Sequence, residues 1–179
     1  MAKQFDQIED DHLSFIEEQA IFFTGTAGPE GRVNVSPKGM DSLRVLGPNR
    51  IVWLNWTGSG NETAAHLMQA NRITLMWCSF GKRPLILRTY GTARTVHEGD
   101  ADWDDLLGLF DPAPGARQIY DVTVDLVQTS CGYAVPYMEA PRERDTLKKW
   151  ADRQGRDAVR DYWTERNTRT IDGAPTDFK

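Results

Sequence analysis

Short apolar runs separated by glycine-proline turns predict a small, mainly β domain. The expected form is a closed barrel of six or seven antiparallel strands with flanking helices. Three observations point there. The segments "GPEG" and "GPNR" each join two strand-like runs. The run 72–80 alternates Ile73, Leu75 and Trp77 against Thr74, Met76 and Cys78. Strands this short must close or pair to manage their edges.

The 179-residue chain suits one domain, 1–179, with the barrel over about 12–136 and a helical extension over about 140–179. With 40 % hydrophobic and 26 % charged residues it reads as an ordinary globular protein. A net charge of -5 argues against nucleic acid as a partner. No apolar run reaches the length of a membrane span, and the acidic N-terminus lacks the apolar core of a signal peptide. A cytoplasmic location is the resulting expectation. Cys78 and Cys131 form no CxxC pair, and His12, His66 and His97 are scattered, so no metal site is expected.

The elements follow in order. "DHLSFIEEQ" reads as a short helix with Asp11 or Ser14 as cap. "AIFFTGTA" (20–27) and "RVNVSP" (32–37) are two strands, and in the second Val33 and Val35 face opposite to Asn34 and Ser36. A strand, a turn and a strand fill 41–56, and "ETAAHLMQA" (62–70) is a helix. The run 83–97 is a strand pair or one bent strand, with Gly91 at the bend. A short helix follows over 100–110, and two more strands lie in 118–136. From Arg142 the three-to-four spacing of Leu147, Trp150 and Ala151, then Val159, Tyr162 and Trp163, is helical.

The stretch "NWTGSGNETAAHL" (55–67) runs a glycine-rich loop into a helix, and two readings compete. Ser59 and Glu62 have the spacing of a capping box, which would close the helix end with nothing bound. Alternatively, Gly58 and Gly60 let backbone N–H groups approach an anion at the positive end of the helix dipole. Thr57, Ser59, Asn61 and Thr63 would then add neutral donors, with Glu62 opposing. The lysine of a P-loop is absent. Lys38, which follows Pro37 at a strand end, either brings positive charge to a phosphate or is a solvated surface lysine. Trp56 abuts the loop, where a planar ligand could lie against it. No nucleophile motif is present, so any chemistry would be carried by a cofactor.

In order and spacing, the segments 12–40, 53–77, 85–96 and 129–136 resemble the pyridoxamine 5'-phosphate oxidase-like flavoproteins, the FMN-binding split β-barrel family with its Greek-key-like strands. The ending "RNTRTIDGAP" (166–175) is similar to one subgroup. The resemblance implies a homodimer with FMN at the subunit interface and a small-molecule substrate or electron donor. It implies an FMN-dependent oxidoreductase, with pyridoxamine phosphate not expected as the substrate. From the strand it implies cofactor contacts by Asn34, Val35, Ser36 and Lys38. From the loop it implies Asn55, Trp56, Thr57, Gly58, Ser59, Gly60, Asn61 and Thr63, and further off Arg88 and Trp150. The residues from Ile171 to Gly173 could close over the flavin. Where the oxidase has a basic pair entering the helix, this chain reads Asn61-Glu62-Thr63. Neutral donors, the helix dipole and Lys38 are then left to hold the phosphate. A flavin- or haem-binding module without turnover and a reductase using the deazaflavin F420 are the alternatives on the same fold.

Overall fold

The computed structural model describes residues 2–111, 113–139 and 141–178. Its elements are β1 (Lys3–Phe5), α1 (Asp10–Glu17), β2 (Phe22–Thr26), β3 (Asn34–Lys38), β4 (Leu43–Gly47) and β5 (Arg50–Trp56). After these come α2 (Glu62–Gln69), β6 (Ile73–Cys78), β7 (Leu85–Val96), α3 (Trp103–Leu107), β8 (Ala116–Cys131) and α4 (Thr146–Arg166).

The strands form one antiparallel sheet in the order β3-β2-β6-β7-β8-β5-β4, with β1 beside β8. Among the described residues the sheet has eight strands and does not close: β3 and β4 are its two ends. The closed barrel of six or seven strands is therefore corrected. The reason lies in strand length. The 118–136 stretch is not two strands: β8 runs 16 residues unbroken, and β7 runs 12. Two long central strands carry the curvature that several short ones would otherwise share. Gly91 lies on β7, where the β7–β8 register shifts between Tyr90 and Gly91. A Cβ there would overlap the carbonyl oxygen of Thr123. Glycine is required for the two backbones to approach.

The core follows from the alternation. Ile73, Leu75 and Trp77 of β6 are all buried, against Phe22, Trp53 and Leu87. Strand β5 is buried on both faces: Ile51 and Trp53 join that cluster, while Val52 and Leu54 join a second one with Trp103, Leu106 and Ile119. This explains the unbroken apolar run "IVWL". Trp53 stacks on Tyr120 with ring centroids 4.7 Å apart. Helix α1 is capped at Glu9, not at Asp11 or Ser14; the Glu9 amide donates to His12 Nδ1 at 3.1 Å. Ser14 instead donates back to the Asp10 carbonyl. Helix α4 breaks at Gly155, whose φ of 76° is left-handed. Its Ala151, Val159 and Trp163 pack as a third cluster.

Candidate functional site

Strand β3 positions the first wall of a cleft. Its partner β2 pairs Thr24 with Ser36 and Phe22 with Lys38. The pleat therefore sends Asn34, Ser36 and Lys38 into the cleft, and leaves Val33 and Val35 exposed at 70 % and 65 %. Pro37 is tolerated because β3 is an edge strand. Lys38 Nζ lies 5.2 Å from the centroid of the Trp53 ring. Burial, then the Arg117 charge, push the lysine down to about 8, with Glu62 opposing.

The second wall is the loop from β5 into α2. Seven hydrogen bonds to β8, α4 and the residues that flank them hold it. The Thr57 amide and hydroxyl both donate to the Gly115 carbonyl, at 2.9 and 3.0 Å. Trp163 Nε1 donates to Thr57 Oγ1 at 2.8 Å, and Asn167 Nδ2 to the Gly58 carbonyl at 3.1 Å. Arg117 Nη1 donates to the Gly60 carbonyl at 3.0 Å. Gln118 Nε2 donates to Asn61 Oδ1 at 3.0 Å, and Asn61 Nδ2 to the Asn167 carbonyl at 3.4 Å. The side chains of Thr57 and Asn61 are thus spent on holding the loop. Ser59 stays exposed, and Thr63 Oγ1 accepts from Asn34 Nδ2 at 3.4 Å.

The capping box does not form. Helix α2 begins at Glu62 with Asn61 as N-cap, and no side chain caps it. Ser59 is two residues too early for that role. The Glu62 carboxylate folds back against Gly60 instead, and accepts weakly from the Ile171 amide at 3.4 Å. The first turn of α2 therefore keeps orphan N–H groups facing the cleft end.

Arg117 is the residue that sequence reading missed. It lines the cleft and is only 4 % exposed. It is the extra residue of a bulge in β8: Gln118 pairs with Asn55 but Ala116 pairs with Trp56. Bulges re-aim side chains, and this one turns a guanidinium inward. Its Nη1 reaches Asn167 Oδ1 at 2.6 Å, and its Nε has no partner among the described residues. Burial pushes the guanidinium below the usual arginine range. Neither Arg117 nor Lys38 belongs to any ion pair among the described residues. A buried cation without an anion is costly to keep. The sequence signal was a charged residue entering the apolar run "ARQIYDV".

The resulting cleft holds about 330 Å³ and gathers Asn34, Ser36, Lys38, Asn55, Trp56, Thr63 and Arg117 around the 57–61 loop. The Trp56 indole N–H is buried without a partner among the described residues. Three expected residues lie elsewhere. Val35 faces out, and Arg88 sits on β7 opposite Met76 and Gln128, donating to Ser130 at 3.3 Å. Trp150 lines an adjoining apolar chamber. The tail does not close over the cleft of its own chain, because Asp172 is tied to Arg32 beyond β2–β3 and Ile171 is exposed. Among the described residues no three metal-ligating side chains cluster, and no helix is long and apolar enough to cross a membrane.

A family profile described as pyridoxamine 5'-phosphate oxidase matches residues 8–131. The chain is 31 % identical, over 96 % of its length and 76 % of the relative's, to the "Pyridoxamine 5'-phosphate oxidase family protein ustO" of Aspergillus flavus. Among solved structures, a putative pyridoxamine 5'-phosphate oxidase from Lactobacillus delbrueckii overlays with a TM-score of 0.55 at 16 % identity, covering 69 % of this chain and 94 % of that one. HupZ of Group A Streptococcus overlays at 0.52 with 20 % identity, over 66 % of this chain and 91 % of its own. These two share the split-barrel fold.

Proposed function

Because the chain belongs to the pyridoxamine 5'-phosphate oxidase family, we propose that it binds FMN in this cleft and acts as an FMN-dependent oxidoreductase on a small organic substrate. One observation carries the reading: two cations, the half-buried Lys38 and the buried Arg117, border an uncapped helix start and form no ion pair with a carboxylate among the described residues. Such a site suits a dianion. The donor set fits the cofactor's phosphate through the N–H groups at the start of α2, the Ser59 hydroxyl and the two cations. The half-buried Trp56 and the polar edge of Asn34 and Ser36 suit a flat heterocycle.

When bound, FMN would supply the hydride or electron transfer that no side chain here provides. The protein's part is binding and orientation. Arg117 offsets phosphate charge from below the loop, and Lys38 from the strand. Asn167 and Trp163 hold the loop, so that its N–H groups stay aimed. Glu62 limits the net positive charge and is the one group that opposes the anion. The exposed Val33, just before β3, and Val35 within it supply apolar surface for a second copy of the chain, so the working form is a homodimer. Val35 would then meet cofactor or partner only from the outer face. Arg88 would need the second copy to reach the cofactor.

The test is direct. Purified protein should carry or take up FMN, with the visible bands bleached by NADPH or another donor and restored by air. Bound FMN that no donor reduces would leave a flavin carrier in place of the enzyme, and failure to bind FMN would remove the proposal.

A further inference from the structure

A second chamber adjoins the cleft, and we infer that it selects an apolar-bodied organic carboxylate as the substrate, an inference that rests on the FMN reading above for its catalytic meaning. The chamber holds about 880 Å³. It shares Pro37, Lys38, Gly39, Met40 and Leu147 with the cofactor cleft, so the two are continuous. A molecule seated in it lies next to whatever occupies the cleft.

The lining has two kinds of surface. Ile21, Met40, Met138, Leu147 and Trp150 are apolar. They come from three separate regions: the start of β2, the turn after β3, and the segment leading into α4 with its first turns. Trp150 is braced edge-on by Tyr162, with ring centroids 5.6 Å apart. An aromatic face held in one orientation suits a flat or extended apolar body.

Around that lining the charge is strongly positive. Arg142, Arg144, Arg153 and Lys38 stand against a single carboxylate, Glu143. The chain as a whole carries -5, so this is a local inversion of sign. The three arginines are exposed and, like Arg72, Arg88, Arg117 and Arg169, take part in no ion pair among the described residues, whereas the other eight arginines do. Arginines that outnumber the one acid along an apolar chamber select an anion, and their forked donors match a planar carboxylate. Neutral hydrogen-bonding side chains able to grip a polar heterocycle are few in the lining: the Thr146 hydroxyl and the Trp150 indole N–H. That composition favours an apolar body over a pyridine bearing hydroxyl and amine.

Three matched probes test it: 3-phenylpropanoate, 3-phenylpropanol and 3-phenylpropylamine, titrated into FMN-loaded protein by the shift of the flavin bands. Phenylpropanoate should bind about tenfold or more tighter than the alcohol, and the amine weakest, the scale of a charge-assisted hydrogen bond. The double variant R142Q/R144Q should bring the acid down to the alcohol's level and leave the alcohol nearly unchanged. Trp150→Ala should weaken both together. Equal binding of all three probes, or an unchanged acid-to-alcohol ratio in R142Q/R144Q, overturns the inference. So does pyridoxamine 5'-phosphate binding more tightly than phenylpropanoate. Calorimetric titration of FMN-free protein with the same probes keeps the two proposals separate. Acid selectivity there, with no FMN uptake, would sink the cofactor reading and leave the chamber standing.

Discussion

Replacing Arg117 with Met separates cofactor binding from folding. In the folded chain Arg117 Nη1 gives two hydrogen bonds, to Asn167 Oδ1 at 2.6 Å and to the Gly60 carbonyl at 3.0 Å. Losing them leaves two buried acceptors short, at about 1–3 kcal/mol each. Against that, methionine removes a buried charge that has no counter-ion, a penalty of several kcal/mol. The two effects oppose, so the stability of the FMN-free protein should move by no more than about 2 kcal/mol. Phosphate binding has no such compensation. A hydrogen bond to a charged group contributes about 1.5–3 kcal/mol, or roughly ten- to hundredfold in Kd. Quenching of flavin fluorescence measures it with two ligands. FMN should weaken by that factor, while riboflavin, which lacks the phosphate, should hold its affinity. If both weaken equally, Arg117 supports the loop and does not meet the phosphate.

Other expected outcomes follow from the same geometry. Lys38 sits at about 8 in the folded protein, below its ordinary 10.5, so the unfolded chain binds the extra proton between those values. Its contribution to stability therefore rises from about pH 8 to pH 10, by up to about 3 kcal/mol, and Lys38→Met should flatten that slope in denaturant titrations. FMN affinity should fall over the same range as the lysine loses its charge, and K38M should weaken FMN more than riboflavin. Asn167→Ala should lower FMN affinity about tenfold, because Asn167 holds both the Gly58 carbonyl and Arg117; unchanged affinity would make the tail dispensable to the site. Gly91→Ala should cost about 3 kcal/mol in chemical unfolding, since its Cβ would collide with the Thr123 carbonyl. A loss below about 1 kcal/mol would mean that the β7–β8 crossing gives way easily.

What the sequence disclosed is what alternation and turn chemistry record. The period-two pattern of 72–80 and the opposed faces of Val33 and Asn34 both reappear in the fold, because one face of β6 is buried and one face of β3 is half-buried along the cleft. Helix α2 starts where its apolar spacing begins. The closed barrel and the split of 118–136 failed for one reason. Local pattern does not report that a 16-residue strand can bend without ending, since the register shift beside Gly91 depends on the facing strand. The same gap hid Arg117. Only the pairing of Asn55 with Gln118 and Trp56 with Ala116 reveals it as the bulged residue. The glycines and hydroxyls marked the loop that lines the cleft, but the division of labour within it was not legible. Thr57 and Asn61 look like ligand donors in sequence, and they are spent on Gly115, Gln118 and Asn167 from distant parts of the chain. The place of Lys38 on the cleft was legible because it ends a strand whose alternating face carries Asn34 and Ser36.

The measurement that reaches furthest is an equilibrium titration of FMN-free protein with FMN and with riboflavin, repeated in the presence of inorganic phosphate. Saturation at one FMN per chain is expected, with riboflavin weaker by a large factor and phosphate competing against FMN only. Equal affinity for the two flavins, or no effect of phosphate on FMN, would contradict an anion held between Lys38, Arg117 and the start of α2.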